Sequence, residues 1–177
     1  MKWIKKLLIA VVVLAAVVIA VGLMLPSTVH VERRTIIAAP AAAVFPYVNN
    51  YRLFNAWSPW AKKDPDTRYT FSGPESGVGA KLGWASKAMG DGSQEIVESE
   101  TDRRVKVALD FGGMGKATAT YTLQAEGGGT QVTWGFDEDF GNNLLARYFG
   151  LLLERFIGED YEQGLANLKA VVEGAKK

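Results

Sequence analysis

The sequence predicts an α+β protein in which a curved antiparallel sheet wraps around one long C-terminal helix, preceded by a single transmembrane helix. Three observations carry this reading: an uncharged apolar run over residues 7–25, period-two alternation with regular turn residues from Arg68 to Glu138, and helical spacing of large apolar side chains from Asn142 to Glu173. A chain of 177 residues has room for one domain and an appendage.

Leu7 to Leu25 contains nineteen residues without a charge or a strong polar group. As a helix it reaches about 28 Å, against roughly 30 Å of bilayer hydrocarbon. Lys2, Lys5 and Lys6 flank one end, with Trp3 among them at headgroup level. The positive-inside rule therefore sets residues 1–6 in the cytoplasm and the domain on the far side of the bacterial inner membrane. The small residues around Ala20-Val21-Gly22 also fit a signal-peptide cleavage site, but a mature chain beginning Leu-Met-Leu-Pro and the unbroken length of the run favour a retained anchor. Residues 26–29, starting at Pro26, form a short linker, so the domain, residues 30–177, sits close to the bilayer.

Composition narrows the function. Lys and Arg number 20 against 19 Asp and Glu, and the three N-terminal lysines leave the rest of the chain mildly acidic, which argues against a nucleic-acid partner. With no cysteine there is neither a disulfide framework nor a thiol nucleophile. His30 is the single histidine, so the reading includes no metal site and no cofactor.

Beyond the linker, Val29 to Ile37 is rich in β-branched residues and reads as a strand. Pro40 suits the first turn of a helix that carries Val44, Tyr47 and Val48 on one face, with Pro46 shortening or kinking it. Asn49-Asn50 separates it from a second short helix over Tyr51 to Trp57, which Ser58-Pro59 ends. The meander follows, with turns expected at Ser72-Gly73-Pro74, Gly90-Asp91-Gly92, Thr101-Asp102, Gly112-Gly113 and Gly127-Gly128-Gly129. Its inward positions include Leu82 and Trp84; Val105, Val107, Leu109 and Phe111; Tyr121 and Leu123; and Val132, Trp134 and Phe136. Gln94 to Ser99 alternates cleanly on neither face. In the last segment Leu144, Tyr148, Leu151, Leu152 and Phe156, then Tyr161, Leu165, Leu168 and Val172, share a helical period. Gly158 marks a candidate kink, and Asp137-Glu138-Asp139 favours the helix start electrostatically.

A sheet closing on a helix leaves an apolar gap, the usual site for a small ligand. Small Ala117 and Ala119 beside Tyr121 leave space there. The candidate lining is Trp57, Trp60, Trp84, Val107, Leu109, Phe111, Ala119, Tyr121, Trp134, Tyr148, Leu152 and Phe156, although each aromatic taken alone also fits plain core packing.

Catalytic and nucleotide motifs fail on their own terms. Around Gly112 to Thr118 the phosphate-loop pattern lacks its first glycine, where Asp110 stands, and Lys116 is followed by Ala117. Gly77-Val78-Gly79 reaches Leu82 where a dinucleotide fingerprint needs glycine. No G-x-S-x-G elbow exists. Glu95, Glu98 and Asp110 are the carboxylates that could act as acid or base if they point inward, and no catalytic residue is assigned.

Several segments together resemble one family: I-x-A-A-P-x-x-x-V-F over Ile36 to Phe45, the pair Trp57 and Trp60, G-x-G-A-x-x-x-W over Gly77 to Trp84, G-T-x-V-T-W over Gly129 to Trp134, and E-x-G-L-x-x-L-K over Glu162 to Lys169. In order and spacing they resemble the polyketide cyclase/dehydrase branch of the START-like, or SRPBCC, superfamily over about residues 30–174. The resemblance implies a helix-grip fold with a deep hydrophobic cavity between sheet and C-terminal helix. It makes the first expectation a membrane-anchored domain that binds a lipid or other hydrophobic small molecule. The alternatives are a cyclase- or dehydratase-like enzyme acting on a polyketide or aromatic substrate, and a non-catalytic interaction domain. An anchor is a departure from the family's soluble enzymes, and the reading leans away from catalysis.

Overall fold

The computed structural model describes residues 2–175. Helix α1 runs Lys2–Met24, two turns of it carrying the lysines, and only Gly22 along it is buried. Its length and apolar composition are those needed to cross a bilayer. Pro26 then turns the chain into the first strand.

Strand β1 (Thr28–Ile37) is followed by α2 (Ala41–Asn49) and the single turn α3 (Tyr51–Phe54). The second short helix is therefore briefer than the sequence suggests. Trp57 falls in a turn beyond α3, and Pro59–Lys62 coils as a separate 3₁₀ turn, because Pro59 cannot donate to a continuing helix. Strands β2 (Arg68–Ser72), β3 (Lys81–Ser86), β4 (Gly90–Glu100), β5 (Arg104–Asp110), β6 (Lys116–Glu126) and β7 (Gly129–Asp139) complete one antiparallel sheet in the order β1-β7-β6-β5-β4-β3-β2. The C-terminal helix α4 (Leu144–Gly174) is gripped by this curved sheet.

Two local readings are corrected. The expected turn at Gly90-Asp91-Gly92 lies inside β4, and the chain reverses over residues 87–89 instead. Gly92 serves packing: a Cβ there would stand 2.3 Å from Cζ2 of the Trp84 ring, which lies across its backbone. The irregular alternation of Gln94 to Ser99 has a bulge as its cause. Gln94 and Ile96 face the core, the register shifts between Ile96 and Glu98, and Val97 is thrown outward.

Helix α4 runs as one continuous helix through Gly158. Its first turn is capped by Asn143, whose side-chain oxygen accepts from the Ala146 N–H. Asp137, Glu138 and Asp139 are instead the last residues of β7, paired with His30, Val29 and Thr28. The buried face of α4 is Gly150, Leu153, Gly158, Tyr161, Gly164, Leu165, Leu168 and Val172. Three of these eight are glycines, and they let the helix lie close: Gly150 sits under Phe140, Gly158 under the Arg33 guanidinium, and Gly164 under the Trp134 ring. Arg33 on β1 ties the helix further, donating from Nε to Glu162 (2.6 Å) and from Nη2 to Glu154 (3.0 Å). These two carboxylates hold the guanidinium above its ordinary pKa.

Candidate functional site

The sheet's concave face, the Phe54–Thr67 segment and the middle of α4 enclose a cavity of about 270 Å³. Strand periodicity builds its wall. Leu82 and Trp84, Ala119 and Tyr121, and Trp134 and Phe136 are i, i+2 pairs on one face of the sheet. Gln94 joins them because its register partners, Leu82 on β3 and Leu109 on β5, also point inward. Helix α4 contributes Ile157, Asp160 and Tyr161, while Met89 and Phe111 close the end formed by the β3–β4 and β5–β6 turns.

Of the residues expected to line a cavity, Trp60, Trp84, Leu109, Phe111, Ala119, Tyr121 and Trp134 do so. Trp57 and Val107 do not: both are 1% exposed and pack behind the wall. The Trp57 indole donates to the Tyr47 carbonyl at 2.9 Å, and its ring meets Trp134 edge-on at 5.2 Å. Tyr148, Leu152 and Phe156 also lie elsewhere, Leu152 and Phe156 half exposed on the outside of α4. The physical reason is phase. The glycine-marked face of α4 turns inward, and the Leu/Phe stripe is rotated away from it. Tyr161, Ile157, Phe54, Ser58, Lys63, Thr67, Tyr69, Met89 and Gln94 were not anticipated. Gly158, one residue from Ile157, and Gly164, three from Tyr161, are the signal that could have found the inward face.

Trp134 is the centre of the aromatic wall. Tyr161 stacks on it with centroids 3.7 Å apart and planes 13° from parallel, and Trp60 meets it edge-on at 5.8 Å. Trp84 meets Phe111 at 6.1 Å across the far end. At the rim Asp160 accepts from Trp60 Nε1 at 2.9 Å and pairs with Lys63. This fastens the 3₁₀ turn to α4. A second rim fastening is Asp64, which accepts from the Ser86 hydroxyl at 2.6 Å; that bond is the main cause holding its carboxyl below the usual range.

Few polar groups reach the interior. Gln94, only 8% exposed, is one of them. Burial raises the Tyr121 and Tyr161 phenols well above their ordinary pKa, so both stay protonated near neutral pH and can donate a hydrogen bond but not serve as bases. Glu95, Glu98 and Asp110 all lie outside the cavity. They pair with Lys81 (3.6 Å), Arg104 (3.3 Å) and Lys116 (3.3 Å), respectively. No group of three or more potential metal ligands occurs among the described residues. Chemically, the site can enclose an apolar body and offer hydrogen bonds to one or two polar atoms.

Residues 28–173 match the family model described as polyketide cyclase / dehydrase and lipid transport. Among solved structures, a norcoclaurine synthase point mutant of Thalictrum flavum, in complex with a transition-state analogue, superposes with a TM-score of 0.65 at 12% identity, covering 85% of this chain and 97% of that one. A protein from Arthrobacter aurescens gives 0.60 at 16% identity, over 82% of this chain and 86% of its own. The Aha1 dimer of Colwellia psychrerythraea gives 0.56 at 15%, over 84% and 99%. At such identities the likeness is one of fold, and the fold is the helix grip. No curated protein sequence matches this chain.

Proposed function

The chain belongs to the polyketide cyclase / dehydrase and lipid transport family, and from that premise we propose that it is a membrane-anchored domain holding a compact hydrophobic molecule, a lipid or another apolar metabolite, in its internal cavity. The observation that carries the reading is the cavity itself: about 270 Å³, walled by aromatic and aliphatic side chains. That volume is just under the ~300 Å³ lower end of small-molecule sites, which favours a single chain or a small ring system over a large fused one. Gln94 and the protonated tyrosines supply orientation. The one carboxylate of the lining, Asp160, is engaged by Trp60 and Lys63, which supports retention of a ligand over acid–base turnover.

The anchor is α1, and Lys2, Lys5 and Lys6 favour a cytoplasmic N-terminus with the domain on the outer face of the inner membrane. The test is native mass spectrometry of the full chain released from membranes in mild detergent, followed by organic extraction. A near-stoichiometric apolar molecule that quenches the cavity tryptophans on rebinding is the expected result. A protein that arrives empty and takes up neither fatty acids nor aromatic probes overturns the reading. Chemical conversion of the rebound molecule replaces it with the enzymatic one.

A further inference from the structure

Five of the ten large apolar side chains that are exposed outside α1 among the described residues lie in the first half of α4: Leu145, Phe149, Leu151, Leu152 and Phe156. Leu145, Phe149, Leu152 and Phe156 recur at i, i+4, i+7 and i+11, each between 51% and 79% exposed. On a helix this is one straight stripe, about 16 Å long. A stripe of this kind on a soluble surface calls for an occupant.

Contacts between α4 and α1 say what the occupant is. The Tyr148 hydroxyl donates to the Val18 carbonyl at 2.6 Å, and Gly22 lies against Tyr148 and Leu144 so closely that a Cβ would stand 3.1 Å from the tyrosine ring. Arg147 reaches the Leu25 carbonyl at 3.3 Å. Val18 is seven residues inside the end of the apolar run, which is about 10 Å of helix. The start of α4 therefore lies beside a part of α1 that belongs at hydrocarbon depth. Charges near the stripe are already occupied: Arg147 by the Gly141 and Leu25 carbonyls, Glu154 by Arg33, and Arg155 by Glu159.

We propose that the stripe Leu145, Phe149, Leu152 and Phe156 is a bilayer-docking surface, seated at the headgroup–acyl boundary of the membrane that α1 enters, so that the cavity opens at the lipid surface. This rests on the reading of α1 as a membrane span. Helices with one apolar face bind at that depth through the area they bury. The cavity follows from the same placement. Ile157, next to Phe156, lines it, and Met89 and Phe111 close it at the sheet end where β1 leaves the linker, as the pairing of Thr28 with Asp139 and of Lys116 with Asp110 shows. The exposed tip Met114 belongs to that end too. An apolar ligand can then pass from bilayer to cavity without crossing water.

The chain has no cysteine, so single-cysteine labels are unique. The full chain is reconstituted in phosphatidylcholine vesicles with an environment-sensitive fluorophore at Phe149→Cys or Phe156→Cys, at Leu14→Cys within the apolar run, and at Ala166→Cys on the exposed side of α4. An acyl-chain nitroxide quenches from the lipid and iodide quenches from the water. The expected result is at least about a twofold loss from the lipid quencher at 14, 149 and 156, with position 166 answering only to iodide. Quenching of 149 and 156 by iodide alone, with 14 still quenched from the lipid, overturns the docking surface and leaves the anchor standing. Loss of the lipid response at 14 overturns the anchor itself. Labels at 149 and 156 screened from both quenchers indicate a second copy of the chain on the stripe, and overturn the proposal as well.

Discussion

Tyr161 lies flat on Trp134, ring centroids 3.7 Å apart, and this contact joins α4 to β7 at the wall of the cavity. Gly164, three residues on, makes the approach possible: a Cβ there would stand 2.7 Å from Cζ3 of Trp134 and 3.1 Å from Cδ of Pro59. Helix, sheet and 3₁₀ turn thus meet at one residue that has no side chain.

Gly164→Ala is expected to destabilise the domain. Alanine gains up to about 1 kcal/mol in helix propensity, but forcing a methyl into a rigid indole and a proline ring costs about 1–3 kcal/mol, so packing wins. Gly158→Ala is the internal control. The three atoms nearest its new methyl all belong to the end of the Arg33 side chain, which can swing aside at the cost of surface ion pairs worth at most about 1 kcal/mol each, offset by the same propensity gain. Thermal unfolding in detergent should show a Tm lowered by several degrees for Gly164→Ala and nearly unchanged for Gly158→Ala. Equal shifts would mean that the Trp134 contact is not special.

Ala119→Leu should close the cavity with the fold intact. Ala119 is buried at the cavity wall, and on β6 it pairs with Val107 and Phe136. A leucine there can extend into empty space rather than into packed neighbours, so stability changes little while uptake of an apolar fluorescent probe is lost. Retained uptake would place the binding site elsewhere.

Gln94→Leu is nearly volume-conserving and removes a buried amide from the cavity lining. Ligands with a carbonyl or hydroxyl should bind roughly tenfold more weakly, about 1.4 kcal/mol, while purely hydrocarbon ligands bind as well or better. Parallel titrations with a fatty alcohol and the matching alkane separate the two outcomes.

Much of this architecture was legible in alternation. Val105, Val107, Tyr121, Leu123, Val132, Trp134 and Phe136 are inward by period two alone, since a one-residue slip would expose all of them. Gln94 was illegible because the bulge after Ile96 breaks the period on which the reading depends. On α4 the failure was one of phase. Leu144, Tyr148, Leu151, Leu152 and Phe156 form a genuine helical stripe, but hydrophobicity cannot tell a face turned to a core from a face turned to α1 or to lipid. The glycines carried that information, because a helix that must lie within reach of Phe140, Arg33 and Trp134 needs residues without side chains there.

Buried tyrosines set the alkaline limit of the fold. Tyr51, Tyr121 and Tyr161 all have their phenols raised, in each case chiefly by burial, from an ordinary value of 10.0. Above pH 10.0 the unfolded chain releases these protons while the folded protein keeps them, so the unfolded state binds fewer protons and stability falls as pH rises; below pH 10.0 the three groups contribute no pH dependence. Each such group costs about 1.4 kcal/mol per pH unit beyond that point. Tyrosinate absorbance followed against circular dichroism should show at least Tyr51, Tyr121 and Tyr161, of six tyrosines, ionising only with loss of structure. Ionisation of all six before any structural change would mean that water reaches the cavity wall freely, and the apolar interior on which ligand binding depends would not hold.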